Sequence, residues 1–159
     1  MFESLLFLFL LFLFFIALSI IWRTSARKFI TSGTVASAYD TWTQDKLLER
    51  LWGEHIHLGF YPQKKKNIDF RKAKVQFVHE LVKWSGLDKL PKGSRILDVG
   101  CGIGGSSRIL SKYYGFNVTG ITISPAQVKR ARELTPIGLN CNFQVMDALD
   151  LKFDDGSFD

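Results

Sequence analysis

Cysteine is scarce in this chain: Cys101 and Cys141 are the whole supply among 159 residues. Two thiols far apart build no disulfide framework, and their scarcity points to a reducing compartment. No strong third ligand joins Glu54, His55 and His57, and their spacing does not suit a helical zinc motif, so no metal site is expected. No internal repeat is present, which excludes a solenoid. Polar residues are nearly missing from Leu5 to Trp22, where Ser19 is the exception and fifteen of eighteen residues are Leu, Ile or Phe. Acidic residues are sparse just beyond it. From Arg23 to Arg95 there are fifteen Lys or Arg against seven Asp or Glu, whereas Ile96 to Asp159 is close to balanced. No RNA- or DNA-binding motif accompanies this basic half, so an anionic membrane surface explains it better than nucleic acid does.

The apolar run has the length of a membrane-spanning helix. Arg23, Arg27 and Lys28 follow it, and Glu3 is the lone charged side chain before it. The positive-inside bias places the N-terminus outside and the rest of the chain on the cytoplasmic or stromal face. A cleaved signal peptide is the competing reading; the missing basic n-region and cleavage site weigh against it. The predicted organisation is a transmembrane anchor over 1–23, a polar tether over 24–34, a helical cap or lid over 35–94 and a cofactor-binding domain over 95–159.

The cap region mixes aromatics (Tyr39, Trp42, Trp52, Phe60) with Glu54, His55 and His57. A helix is expected over Asp45–Trp52 with Leu47, Leu48 and Leu51 on one side, and an amphipathic one over Ile68–Ser85 facing inward through Ala73, Phe77, Val78, Leu81 and Val82. The stretch reads either as an aromatic cap with structural histidines or as a lid over a cofactor and an apolar substrate. The cations from Lys64 to Lys74 read as a solvated face within reach of lipid headgroups.

The chemistry concentrates in RILDVGCGIGG, Arg95 to Gly105. A β-branched strand runs into a glycine turn and then a helix over Ser106–Tyr114, with Ile109, Leu110 and Tyr113 packing on the sheet. A second strand follows over Asn117–Ile121. A Ser124-Pro125-Ala126-Gln127 helix start has Ser as cap and Pro at the first position. A third strand over Cys141–Val145 then delivers Met146, Asp147 and Ala148. This is an α/β, Rossmann-like fold with parallel strands ordered 3-2-1 and ligands beyond their C-terminal ends. A nicotinamide site wants an acid about twenty residues after the turn to hold the ribose. Thr122 stands there instead. Asp98 and the tight Gly100-x-Gly102-x-Gly104 pattern suit a ligand without a diphosphate, namely S-adenosylmethionine.

DVGCGIGG followed by GITISPAQ and MDA resembles the class I S-adenosylmethionine-dependent methyltransferases. The long matches VASAYDTWTQDKLLERLWGEHIHLGFY and LDVGCGIGGSSRIL are similar to their tocopherol and plastoquinone branch. The resemblance implies methylation of a prenylated benzoquinol ring (phytyl or solanyl) in the bilayer of a thylakoid, a photosynthetic plasma membrane or a plastid envelope. Carried over, Asp98, Gly100, Gly102 and Gly104 would hold the methionine portion, with Cys101 inside the turn as a packing residue. Thr122 and Gln127 would share the ribose, Gln127 having a second reading as a helix cap. Asp147 would accept from the adenine amino group, with Ala148 N–H at the ring. Tyr39, His55 and His57 would frame the substrate, one histidine taking a proton. A class I domain sets a fourth strand beside the first. The chain is therefore expected to be the N-terminal half of such a domain, a fragment inactive alone with an open edge on its first strand and an oligomeric state the sequence does not set. Methylation of another membrane lipid, or a non-catalytic tethered remnant, are the alternatives.

Overall fold

The computed structural model describes residues 2–24, 32–62 and 68–159, which fall into two compact units divided after Ile30. The first unit contains helix α1, Phe2–Thr24. Its side chains are described for Phe7 and Phe9–Ser19, all exposed. Among the described residues no helix is long and apolar enough to cross a membrane. The expected transmembrane helix therefore does not follow from the fold, and the expected tether over 24–34 lies largely outside the described residues.

In the second unit, α2 (Ser32–Gln44) and α3 (Leu47–Trp52) form the cap, and α4 (Phe70–Ser85) leads to a 3-10 turn at Leu87–Lys89. Then come β1 (Arg95–Val99), α5 (Gly105–Ile109, continued by a π turn over Leu110–Tyr114), β2 (Asn117–Thr122), α6 (Pro125–Leu134) and β3 (Cys141–Val145). The strands are parallel with β2 central, Asp98 opposite Gly120 and Thr122 opposite Val145. The expected strand order and ranges hold, β2 running one residue further. Two apolar clusters support the sheet, one around Val82, Ile96, Leu110, Phe116 and Val118, the other around Cys101, Val128, Ala131 and Phe143. At the outer edge of β1, the Asp159 N–H donates to Arg95 O at 2.9 Å and the Asp159 carboxylate pairs with the Arg95 guanidinium.

Four side-chain expectations need correcting. Tyr113 is exposed and Tyr114 takes its place, stacking on Phe116 at 5.8 Å. The π turn adds a residue to the last turn and so shifts the inward phase by one. The helix α4 buries Ala73, Lys74, Val78 and Val82, while Leu81 is exposed and Phe77 lies at the surface against His57. Helix α3 buries nothing: Lys46, in the left-handed region at φ 55, delays its start, and Leu47 and Leu51 face outward. The basic run is not a uniformly solvated face either. Its lysines 64–66 lie outside the described residues, but Lys74 is 4% exposed, its ammonium donating to Trp52 O and His55 O. Arg71 likewise donates to the carbonyls of Arg50 and Leu51. These two cations hold the loop after α3.

Candidate functional site

A cavity of about 400 Å³ opens beyond the C-terminal ends of the three strands. Each strand contributes one group of walls. From β1 come Asp98 and the glycine turn; from β2, Thr122 with Gln127; from β3, Met146 and Ala148. The cap closes the remaining side with Tyr39, Glu54, His55 and His57. Cap residues thus line one side of the cavity, and its two histidines are held by hydrogen bonds of their own.

Asp98 is the cavity's half-buried anion. It accepts from the Ser107 hydroxyl at 2.6 Å. Burial pushes its carboxyl above the usual range, while the Ser107 bonds and the nearby His57 pull the other way. No Lys or Arg pairs with it among the described residues. A cationic ligand group would supply the missing charge. Beside it, Gly100 and Gly102 have positive φ (73 and 56), and nothing lies within 4 Å of where a Cβ would sit. The turn therefore leaves side-chain-sized space on the cavity wall, where ligand atoms can approach backbone. Cys101 packs below, its thiol pushed up to about 12 mainly by burial, which makes it inert as a nucleophile.

Thr122 and Gln127 are both buried, and the Thr122 hydroxyl donates to the Gln127 side-chain oxygen at 2.7 Å. The second reading of Gln127 is half right. Ser124 Oγ caps α6 by accepting from Gln127 N–H at 3.1 Å, but the Gln127 side chain turns to Thr122. A neutral amide and hydroxyl at a strand end can bind a diol. Asp147 stands at the end of β3 between the lining residues Met146 and Ala148, and its Oδ1 accepts from Leu149 N–H at 3.0 Å, closing an Asx turn.

The two cap histidines form a pair. His57 Nδ1 lies 2.8 Å from Leu58 O, and its Nε2 lies 3.1 Å from His55 Nδ1. A carbonyl only accepts, so His57 Nδ1 carries the proton there. His57 Nε2 and His55 Nδ1 share one hydrogen bond, so one ring donates and the other accepts. Burial and the neighbouring His57 lower His55 to about 4, so it is uncharged at neutral pH.

Several residues at the site carried no sequence signal. Arg108 is 8% exposed, donates to Ile103 O at 2.8 Å and pairs with Glu54 at 2.5 Å, tying the glycine turn to the cap. Asp40 accepts from Ser124 Oγ and, at 3.0 Å, from Ala126 N–H, adding a second cap to α6 from across the chain. Gly105 lets the cap dock, since a Cβ there would meet Glu54 O and the His55 ring at 2.8 Å.

Residues 96–159 match a family described as a methyltransferase domain. The chain is 60% identical over 135 residues to the 2-methyl-6-phytyl-1,4-hydroquinone methyltransferase of a Synechocystis strain, covering 85% of this chain and 42% of that one. It is 40% identical over 123 residues to the chloroplastic tocopherol O-methyltransferase of Arabidopsis thaliana, covering 71% and 35%. Among solved structures it is similar to the [4+2]-cyclase SpnF, with a TM-score of 0.68 and 29% identity over 81% of this chain and 47% of that one. The chain thus spans less than half the length of these relatives. A half-buried carboxylate beside a tight glycine turn, three parallel strands in the expected order and these kinships lead to one assignment: residues 96–159 form a Rossmann-like class I methyltransferase domain, and the chain is similar to the tocopherol methyltransferase-like branch of that family.

Proposed function

We propose that the protein, at the length of its relatives, transfers a methyl group from S-adenosylmethionine to a ring carbon of a prenylated benzoquinol, phytyl or solanyl, in tocopherol and plastoquinone formation. The observation that carries this reading is the 60% identity to the Synechocystis enzyme over 135 residues, a stretch long enough to take in both the cap and the glycine turn. The cavity supports it, because a half-buried carboxylate and an open glycine turn suit the cofactor's cationic end.

Bound there, S-adenosylmethionine supplies an activated methyl carbon, so the protein's task is alignment and exclusion of water. Asp98 takes the ammonium group, and Gly100, Gly102 and Gly104 keep the turn tight. Thr122 and Gln127 exchange their mutual bond for the ribose hydroxyls. Asp147, whose Oδ1 closes its own turn, accepts from the adenine amino group through its other oxygen, with the Ala148 N–H at the ring. On the substrate side, Tyr39 and the histidine pair face the quinol. One histidine of the pair accepts the phenolic proton as the ring attacks.

The Leu5–Trp22 run keeps the protein at the bilayer where its substrate resides, raising the local concentration of both. The chloroplastic name of the Arabidopsis relative supports a plastid or photosynthetic membrane. Supplying methyl-labelled S-adenosylmethionine and 2-methyl-6-phytyl-benzoquinol to the membrane-embedded protein, extended to the relatives' length, tests the reading. Label on the quinol ring is expected. Label on a sterol or acyl chain would move the activity to another lipid, and an absence of heat on titrating the cofactor into the chain would leave a non-catalytic remnant. Activity on vesicles that is indifferent to deleting residues 1–22 would remove the anchor.

A further inference from the structure

A second cavity, of about 500 Å³, lies on the other side of the cap loop from the cofactor site and shares Glu54, His55 and Gly105 with it as a common wall. Its charge is one-sided. Arg71, Lys74, Arg108 and Lys112 line it against a single carboxylate, Glu54, which Arg108 already uses. Arg71 and Lys74 meet only neutral carbonyls and aromatic rings, and Lys112 stands over the Tyr113 ring at 5.3 Å. None of these three has a carboxylate within ion-pair distance among the described residues. Lys74 is the telling one. A charged ammonium at 4% exposure pays for desolvation, and here no counter-charge offsets it. The same cavity is lined by the apolar residues Ile109, Leu134, Pro136 and Leu139.

We propose that this cavity is a binding site for an anionic single-chain lipid, its head between Lys74, Arg71 and Lys112 and its hydrocarbon along Leu134 and Leu139. Cationic head and apolar tail surfaces adjoin in one pocket, so neither a free inorganic anion nor a neutral prenyl chain satisfies both halves. The site is separate from methyl transfer, and its occupant touches the cofactor cavity through the Glu54–His55 wall.

The test uses the whole chain in a neutral maltoside detergent, with a doxyl-labelled lysophosphatidylglycerol as probe and quenching of tryptophan fluorescence as readout. Trp52 lies in the cavity wall, so quenching is expected in the chain and should be largely lost in Trp52→Phe. Lys112 is exposed, which makes Lys112→Glu a variant that keeps the fold. It should weaken the probe about tenfold by replacing attraction with repulsion. Leu139→Ser should weaken it through the tail alone. Cofactor titration should be unchanged in Lys112→Glu, which separates failure of this site from failure of the methyltransferase reading. Equal binding by Lys112→Glu, or full displacement of the probe by a neutral prenyl quinol, would overturn the proposal in favour of an apolar tunnel. Displacement by inorganic phosphate at the same concentration as the unlabelled lysolipid would overturn it in favour of a phosphate site.

Discussion

In the sheet half, Phe116, Val118, Ile121 and Phe143 are each at most 2% exposed. In the cap, from Gly33 to Pro62, not one described residue is buried. The same cavity is therefore built from two materials. One wall is a packed apolar core. The other is fastened by three carboxylates reaching across the chain: Asp40 to the start of α6, Glu49 to Arg130 at 2.6 Å, and Glu54 to Arg108. Polar fastenings with little apolar burial put the cap at the low-stability end of the molecule. That suits a wall which opens and closes while the sheet wall stays fixed.

The contrast can be broken from the sheet side first. Gly104 has φ 80, and a Cβ there would lie 2.6 Å from the Phe143 ring. Gly104→Val forces both a left-handed β-branched residue and an overpacked core, at a combined cost of about 4 kcal/mol. In urea, the tryptophan and far-ultraviolet transitions should move down together. From the cap side, Glu54→Ala leaves Arg108 buried without its counter-charge, at about 2 kcal/mol. Here the expected damage is local: faster proteolysis within residues 32–62, with amide protection of β1 to β3 unchanged. Equal loss of protection in the strands would show that cap and sheet are one cooperative unit.

The same division explains what the sequence disclosed. Strand ranges, their order and the Ser124 cap rest on local periodicity and on a glycine turn, so they were legible residue by residue. Thr122 and Gln127 were paired through the family resemblance, and the structure brings them into contact at 2.7 Å. Glu54 with Arg108 and Asp40 with Ser124 were not legible, since 54 and 84 residues separate the partners and an exposed carboxylate has no periodicity. Lys74 misled for the opposite reason. Its neighbours read as a solvated run, and only the fold shows two carbonyls of the cap loop converging on it. Tyr113 failed through a single π turn, which no composition rule announces.

Acidification should separate the two walls again. Asp98 must be ionised to bind a cationic cofactor, and burial raises its pKa. Affinity should therefore begin to fall at a pH above the usual carboxylate range. Below that pKa it should fall about tenfold per pH unit, and in Asp98→Asn it should be weak and flat. His55 works on the cap. Its folded value, about 4, is below the unfolded value near 6.5, so the unfolded chain takes the proton first. The contribution to stability is complete above pH 6.5 and is lost as pH falls toward 4. Cap proteolysis should accelerate from pH 7 to pH 5 in the parent chain and much less in His55→Gln.

The smallest effect expected is at Lys46, which is the one non-glycine with positive φ among the described residues. It stands between α2 and α3, where Asp45 Oδ1 accepts from Leu47 N–H at 2.8 Å, and its φ of 55 lets the chain reverse before α3 begins. Lysine bears the left-handed conformation at a cost, whereas asparagine tolerates it and adds no unfolded-state entropy comparable to glycine's. Lys46→Asn should stabilise the cap by about 0.5 kcal/mol, seen as slower proteolysis of residues 32–62 with the urea midpoint of the sheet unmoved. A gain confined to the cap would mean that its closure is limited by the turn as well as by its ion pairs. A midpoint shift in the sheet would mean that strain at this turn is carried through Asp40 into α6, and the two walls would then be less independent than their burial suggests.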